Sequence, residues 1–146
     1  MTQFARDETT PEMIGVALFG AGRIGRLHAR NIAALDGVRL RVVVDPNREN
    51  ATEIASRSGA RVTLDARGAI EASDVDAVVI ASPTDTHVEL IRLAAAARKA
   101  VFCEKPIDID RHRVDAVAVE VERAGIPFAV GFNRRCDPNF RALKRA

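Results

Sequence analysis

The stretch Ile14 to Arg26, IGVALFGAGRIGR, restricts the possible folds more than any other part of the chain. A short apolar run, Val16 to Phe19, enters Gly20-Ala21-Gly22-Arg23-Ile24-Gly25, and a helical pattern over Leu27 to Leu35 leaves it. A strand that runs into G-x-G-x-x-G and out into a helix is the turn that holds nucleotide phosphates. Gly20 permits the tight turn, Gly22 keeps a Cβ out of the way of a pyrophosphate, and Gly25 lets the helix lie close on its strand. The backbone N–H groups and positive dipole end of the new helix, with Arg23 and Ile24 in the same loop, then face the phosphates. Glycine-rich loops produce the bare motif by chance, so the nucleotide reading rests on the strand before it and the helix after it.

Downstream the chain alternates. Asp36-Gly37 makes a turn, Leu40 to Val44 reads as a strand ending at Asp45-Pro46, and Asn47 to Ser58 has helical spacing closed by Gly59. Arg61 to Leu64 is a short strand, Ala66 to Ala72 a small helix, and Ala77 to Ala81 a strand apolar enough to be buried on both faces. Ser82 to Asp85 opens another helix, with Thr86 and Glu89 at capping-box spacing and Arg98-Lys99 set against its dipole. A fifth strand, Ala100 to Cys103, is stopped by Glu104-Lys105-Pro106. A helix from Arg111 to Ala124 repeats apolar positions at Val114, Val117, Ala118 and Val121, and a sixth strand runs from Phe128 to Gly131. This alternation specifies an α/β fold, a doubly wound parallel (Rossmann) sheet with strand order 3-2-1-4-5-6. Residues 13–132 form that domain, residues 1–12 are expected to be a mobile lead-in, and residues 133–146 a basic, Pro-broken tail.

Bulk properties narrow the class. At 146 residues the chain suits one domain with a sheet covered on both faces. A formal charge of +2 is too small to argue for a nucleic-acid or membrane-surface partner, and neither is expected. The charged start lacks the apolar core of a signal peptide, and no apolar run is long enough to cross a bilayer. Cys103 and Cys136 have no metal-ligand spacing, so no metal site is expected, and they fit reduced thiols in the cytoplasm.

In a doubly wound sheet, ligands sit beyond the carboxyl ends of the strands. Gly20 to Gly25, Asp45, Ser82 to His87, Glu104 to Pro106 and Asn133 to Arg135 all fall at such ends, on one rim. Asp45 ends the second strand, where a carboxylate accepts bonds from a ribose diol and repels a 2′-phosphate. NAD is therefore expected over NADP, although Arg48 can soften the preference, and Asp45 can instead cap the following helix. Ser82, Pro83 and Thr84 should lie near the middle of the cofactor. His87 belongs either to that site or to helix packing, and His28 and His112, with no acidic partner at ligand spacing, read as surface or packing residues. Lys105 follows a buried strand, precedes a rigid proline and faces the crevice. Partial desolvation there makes an ammonium useful for moving a proton near neutrality, the alternative being a solvated surface charge. Glu104 either pairs with it or lies exposed on the turn.

On GAGRIGRLHARNI, VVVDPN, ASPTDTH, CEKPID and GFNRRCDPNF, spanning residues 14 to about 145, the sequence resembles the Gfo/Idh/MocA family of NAD(P)-dependent oxidoreductases, most closely its inositol 2-dehydrogenases. The Glu104-Lys105-Pro106 triplet is the more specific signal. The resemblance implies that Gly20, Gly22 and Gly25 hold pyrophosphate and Asp45 holds ribose. It puts Pro83, Thr84, His87 and Glu104 along the cofactor, Lys105 in a proton relay, and Arg134 or Arg135 at the substrate or nicotinamide end. The implied reaction is oxidation of a secondary alcohol on a cyclitol or sugar, with hydride passing to NAD. Family members continue into a second domain that forms the substrate pocket and supplies an Asp and a His to the relay. The expectation is therefore a chain that binds dinucleotide but turns over little alone, and that self-associates or pairs with the missing domain. A stand-alone NAD-binding sensor and an inactive truncated product are the competing expectations.

Overall fold

The alternating segments form a six-stranded parallel sheet in the computed structural model, which describes residues 13–145. The lead-in expected over residues 1–12 lies outside the described residues. In chain order the elements are β1 (Ile14–Phe19), α1 (Arg23–Ala33), β2 (Val38–Val44), α2 (Arg48–Ser58), β3 (Arg61–Thr63), α3 (Ala66–Glu71), β4 (Ala77–Ile80), α4 (His87–Ala96), β5 (Ala100–Cys103), α5 (Arg111–Ala124), β6 (Phe128–Val130) and α6 (Pro138–Arg145). Short 3₁₀ turns, Thr84–Thr86 and Asn133–Arg135, precede α4 and α6. The strand order is β3-β2-β1-β4-β5-β6, the doubly wound arrangement expected from the alternation.

β1 lies at the centre, paired with β2 on one side and β4 on the other. Its period-2 alternation sends Ala17 and Phe19 to one face and Val16 and Leu18 to the other, and all four are buried. On the first face they pack with Ile70 of α3, Val88 and Ile91 of α4, and Val117 of α5. On the second they pack with Ile32 of α1 and Ala51, Ile54 and Ala55 of α2. Each large aliphatic side chain buried this way contributes roughly 1.5–3 kcal/mol. With both faces covered, the centre of the sheet is a rigid base for the loops at its carboxyl end.

Several helix ends follow the local chemistry. Asn47, Asp65 and Asp110 cap α2, α3 and α5 by accepting from the N–H groups of Asn50, Gly68 and His112. Gly59 and Gly125 end α2 and α5 in the left-handed region, at φ 71° and 62°. Other expectations are corrected. No capping box forms at Thr86, because its Oγ1 donates back to the Pro83 carbonyl at 2.7 Å. Arg98 and Lys99 do not serve the end of α4. Lys99 Nζ donates to the Val75 carbonyl at 2.6 Å, and Arg98 donates to the carbonyl of Ala124, the last residue of α5. Ala118 is exposed although its spacing places it with the apolar stripe. The tail is also more ordered than its composition suggests. Pro138 starts α6 rather than breaking it, and Asp137 Oδ1 accepts from the Asn139 N–H at 2.8 Å.

Candidate functional site

The loops after β1, β2, β4, β5 and β6 converge over the N-terminus of α1. Gly20 has φ +97°, a conformation that disfavours any side chain, and a Cβ on Gly25 would collide with the Gly20 carbonyl oxygen. These two glycines fold the turn back on itself. Gly22 differs: no atom lies within 4 Å of where its Cβ would stand, so its side of the loop is open to a ligand. Gly22 also caps α1 without any side-chain hydrogen bond, and the first turn carries no acidic residue. The helix start therefore presents backbone donors and a positive dipole end to an anionic group. An open glycine and a helix start without a side-chain cap fit a pyrophosphate.

Two lobes meet at this point. One, of ≈ 610 Å³, runs from Gly20 and Gly22 past Asp45 and Pro46 to Pro83 and Thr86. The other, of ≈ 650 Å³, runs from His28 and Thr84 past Glu104 and Lys105 to Asn133 and Cys136. They share Arg23, Ile24, Ala81 and Ser82. A dinucleotide has the same plan, two nucleoside halves joined at a diphosphate.

Asp45 stands at the end of the first lobe. It does not cap α2, since Asn47 holds that position. Its Oδ2 accepts the Ala21 N–H at 2.6 Å and its Oδ1 accepts the Asn47 N–H at 2.7 Å. One carboxylate thus ties the glycine loop to the end of β2 and keeps lone pairs facing the lobe. In the loop after β4, Thr86 spends its only hydroxyl proton on Pro83, so Ser82 Oγ donates to Thr86 Oγ1 at 2.7 Å.

His87 is 1% exposed, with its ring nitrogens 2.9 Å from the carbonyl oxygens of Ser82 and Pro106. It borders the second lobe, but both polar atoms are engaged by the protein, and they link the loop after β4 to the loop after β5.

Lys105 lines the second lobe and is exposed, so the described residues leave its ammonium solvated. Glu104 does not pair with it. The Glu104 Oε1 accepts from His28 Nε2 at 2.9 Å, and its Oε2 faces the Lys105 N–H at 3.3 Å. His28, read as a surface or packing residue with no acidic partner at ligand spacing, does pack against Phe102, but the fold also gives it an acidic partner. The partner comes from a strand end 76 residues away, beyond the reach of local spacing. A sequence signal for its placement did exist: Ile24, His28 and Asn31, at i, i+4 and i+7, share the face of α1 that lines the crevice.

Arg134 and Arg135 do not line this lobe. Each guanidinium lies over a ring, Arg134 over Phe140 at 4.8 Å and Arg135 over Phe132 at 5.1 Å, in or beside a separate basic cleft with Arg141, Lys144 and Arg145. From the same segment, Asn133 and Cys136 reach the crevice instead.

Cys103, buried at the end of β5, has its thiol pushed up to about 12 by burial, with the Glu104 charge adding to the effect. Among the described residues no group of His, Cys, Asp and Glu side chains could hold a metal ion. Among them, too, no helix is long and apolar enough to cross a membrane. A further groove of ≈ 310 Å³, lined by Arg26, Arg30, Ile54 and Arg57, lies between α1 and α2, apart from the strand ends.

Comparison with known proteins agrees with this geometry. The Gfo/Idh/MocA profile, described as an oxidoreductase family with an NAD-binding Rossmann fold, matches residues 14–132. The chain is 48% identical over 130 residues to inositol 2-dehydrogenase of Rhizobium meliloti, which covers 88% of this chain and 39% of that protein. It is 38% identical over 132 residues to myo-inositol 2-dehydrogenase of Thermotoga maritima, covering 90% and 40%. It also superposes with a TM-score of 0.86 and 30% identity on scyllo-inositol dehydrogenase from Lactobacillus casei, crystallised with bound cofactor NAD(H) and scyllo-inositol, over 91% of this chain and 40% of that one. The chain thus spans about two-fifths of the length of these relatives.

Proposed function

The chain belongs to the Gfo/Idh/MocA oxidoreductase family, and we propose that its crevice takes NAD in preference to NADP and forms the cofactor half of an enzyme that oxidises a secondary alcohol of a cyclitol or sugar. The carrying observation is the pair of lobes joined at the uncapped start of α1, with the Asp45 carboxylate in one and Lys105 in the other. The amides of Gly22 to Gly25 bind the diphosphate, and Asp45 receives the adenosine ribose hydroxyls and repels a 2′-phosphate. The cofactor supplies a nicotinamide ring that accepts hydride. Lys105, once desolvated to the neutral amine, would take the hydroxyl proton as the alcohol carbon becomes a ketone, so hydride and proton would leave to separate acceptors.

A second domain of the kind implied by the family resemblance, in cis or in trans, would supply substrate specificity, the full proton relay and the groups that desolvate Lys105. Apolar residues left open support such a packing partner, or self-association. They include Phe132, Phe140 and Leu143, and a trough of ≈ 270 Å³ over β4 to β6 lined by Val79, Phe102 and Ala129. A cytoplasmic setting fits the two free cysteines.

The test follows NADH absorbance with myo-inositol and NAD. The 146-residue chain should turn over little or nothing. Fused to the remainder of an inositol dehydrogenase, it should turn over in a way that Lys105→Ala abolishes. Turnover by the chain alone that survives Lys105→Ala overturns this mechanism.

A further inference from the structure

His28 stands on α1, the helix whose first turn faces the diphosphate position, and Glu104 begins the turn that carries Lys105. A carboxylate only accepts, so His28 Nε2 carries the proton and donates to Glu104 Oε1 at 2.9 Å. The other carboxylate oxygen faces the Lys105 N–H at 3.3 Å. On the third side, a Cβ on Gly131 would come within about 3.0 Å of the carboxylate, so the end of β6 leaves it no slack. The His28 ring is held in turn by an edge contact with Phe102, with centroids 5.1 Å apart. The two partners are 16% and 23% exposed, too little for water to replace the bond freely.

We propose that His28 is a positioning residue for the nicotinamide lobe: through Glu104 it fixes the Lys105 turn relative to the helix that presents the phosphate-binding amides. A dinucleotide touching both ends of the crevice depends on that spacing, whereas a ligand that stops at the second ribose does not. This inference rests on the NAD reading above.

Calorimetric titration of the 146-residue chain with NADH and with ADP-ribose, which lacks the nicotinamide ring, tests it in wild type, His28→Ala and His28→Gln. Wild type should prefer NADH. His28→Ala should weaken NADH by about tenfold, the scale of one hydrogen bond to a charged group, and leave ADP-ribose within about twofold. His28→Gln, whose amide can donate from the same side, should recover most of the NADH affinity. An unchanged NADH to ADP-ribose ratio in His28→Ala overturns the proposal, and so does a parallel fall of both affinities in the two variants. A Gln variant that stays at the Ala level overturns the hydrogen-bond basis. Wild type that binds both ligands equally overturns the inference while the glycine-loop reading stands, and wild type that binds neither removes the NAD reading beneath it.

Discussion

Replacing Asp45 tests two functions carried by one carboxylate. Its Oδ2 accepts from Ala21, a fully buried residue, at 2.6 Å, and its Oδ1 accepts from Asn47 at 2.7 Å. In Asp45→Ala the Ala21 N–H loses its partner, which costs about 1–3 kcal/mol for a buried donor. Asp45 is half-buried and water can enter from the crevice side, so the lower part of that range applies. For a domain of this size the melting temperature should drop by roughly 3–8 °C. The cofactor effect is separate. A 2′-phosphate about 4 Å from the carboxylate costs about 1 kcal/mol in water and about 4 kcal/mol near a protein surface, so wild type should favour NAD over NADP by about fivefold or more. Asp45→Asn separates the two effects. Its amide oxygen can still accept from the buried Ala21 N–H while the exposed Asn47 N–H turns to water, so most of the stability remains, but the charge is gone and the preference should collapse. Thermal melts without ligand and calorimetric titrations with each cofactor read both quantities. An Asp45→Asn protein that keeps the wild-type preference refutes the charge argument, and an Asp45→Ala protein that melts with wild type refutes the loop tie.

Two further outcomes follow from single side chains. With its thiol held near 12, buried Cys103 should resist iodoacetamide at neutral pH while exposed Cys136 reacts, giving one adduct on folded protein and two after unfolding. Saturating NAD should slow the Cys136 reaction, and two adducts on folded protein would contradict the burial. Arg61 donates to Asp74 at 2.7 and 2.9 Å and holds its carboxyl below the usual carboxylate range. That contribution is complete above the ordinary range and is lost as pH falls through the lowered value. The side chains are 55% and 37% exposed, so screening limits the contribution to at most about 1 kcal/mol. Asp74→Asn should melt slightly below wild type at neutral pH, with the two curves converging toward acid. A gap that widens in acid would reverse the assignment.

The sheet was legible in the sequence because its signals are local. Alternating apolar strands, Asn47 as a cap, Gly59 and Gly125 as stops, and the glycine loop each act within a few residues of their own position. The rim was legible for the same reason, since every strand end announces itself by a proline, glycine or charge. The pairings across the rim were not. Nothing near Glu104 in sequence shows that its partner is His28 rather than Lys105, and nothing near His87 names the Pro106 carbonyl. The tail misled in a different way. Five cations between Arg134 and Arg145 suggest a solvated segment, yet Asp137 caps a helix there and Phe132 and Phe140 give Arg135 and Arg134 rings to cover.

The central claim is that a dinucleotide lies across both lobes, over the start of α1. Amide proton–nitrogen spectra of the isotopically labelled chain, recorded while NAD is added, test it residue by residue. The amides of Gly20 to Gly25, Asp45, Ser82, Thr84, Glu104 and Lys105 should shift together and saturate together, while those around Ile54 and Arg57 on the far side of the α1–α2 groove stay put. Shifts confined to that groove, or no shifts at millimolar NAD, would contradict it.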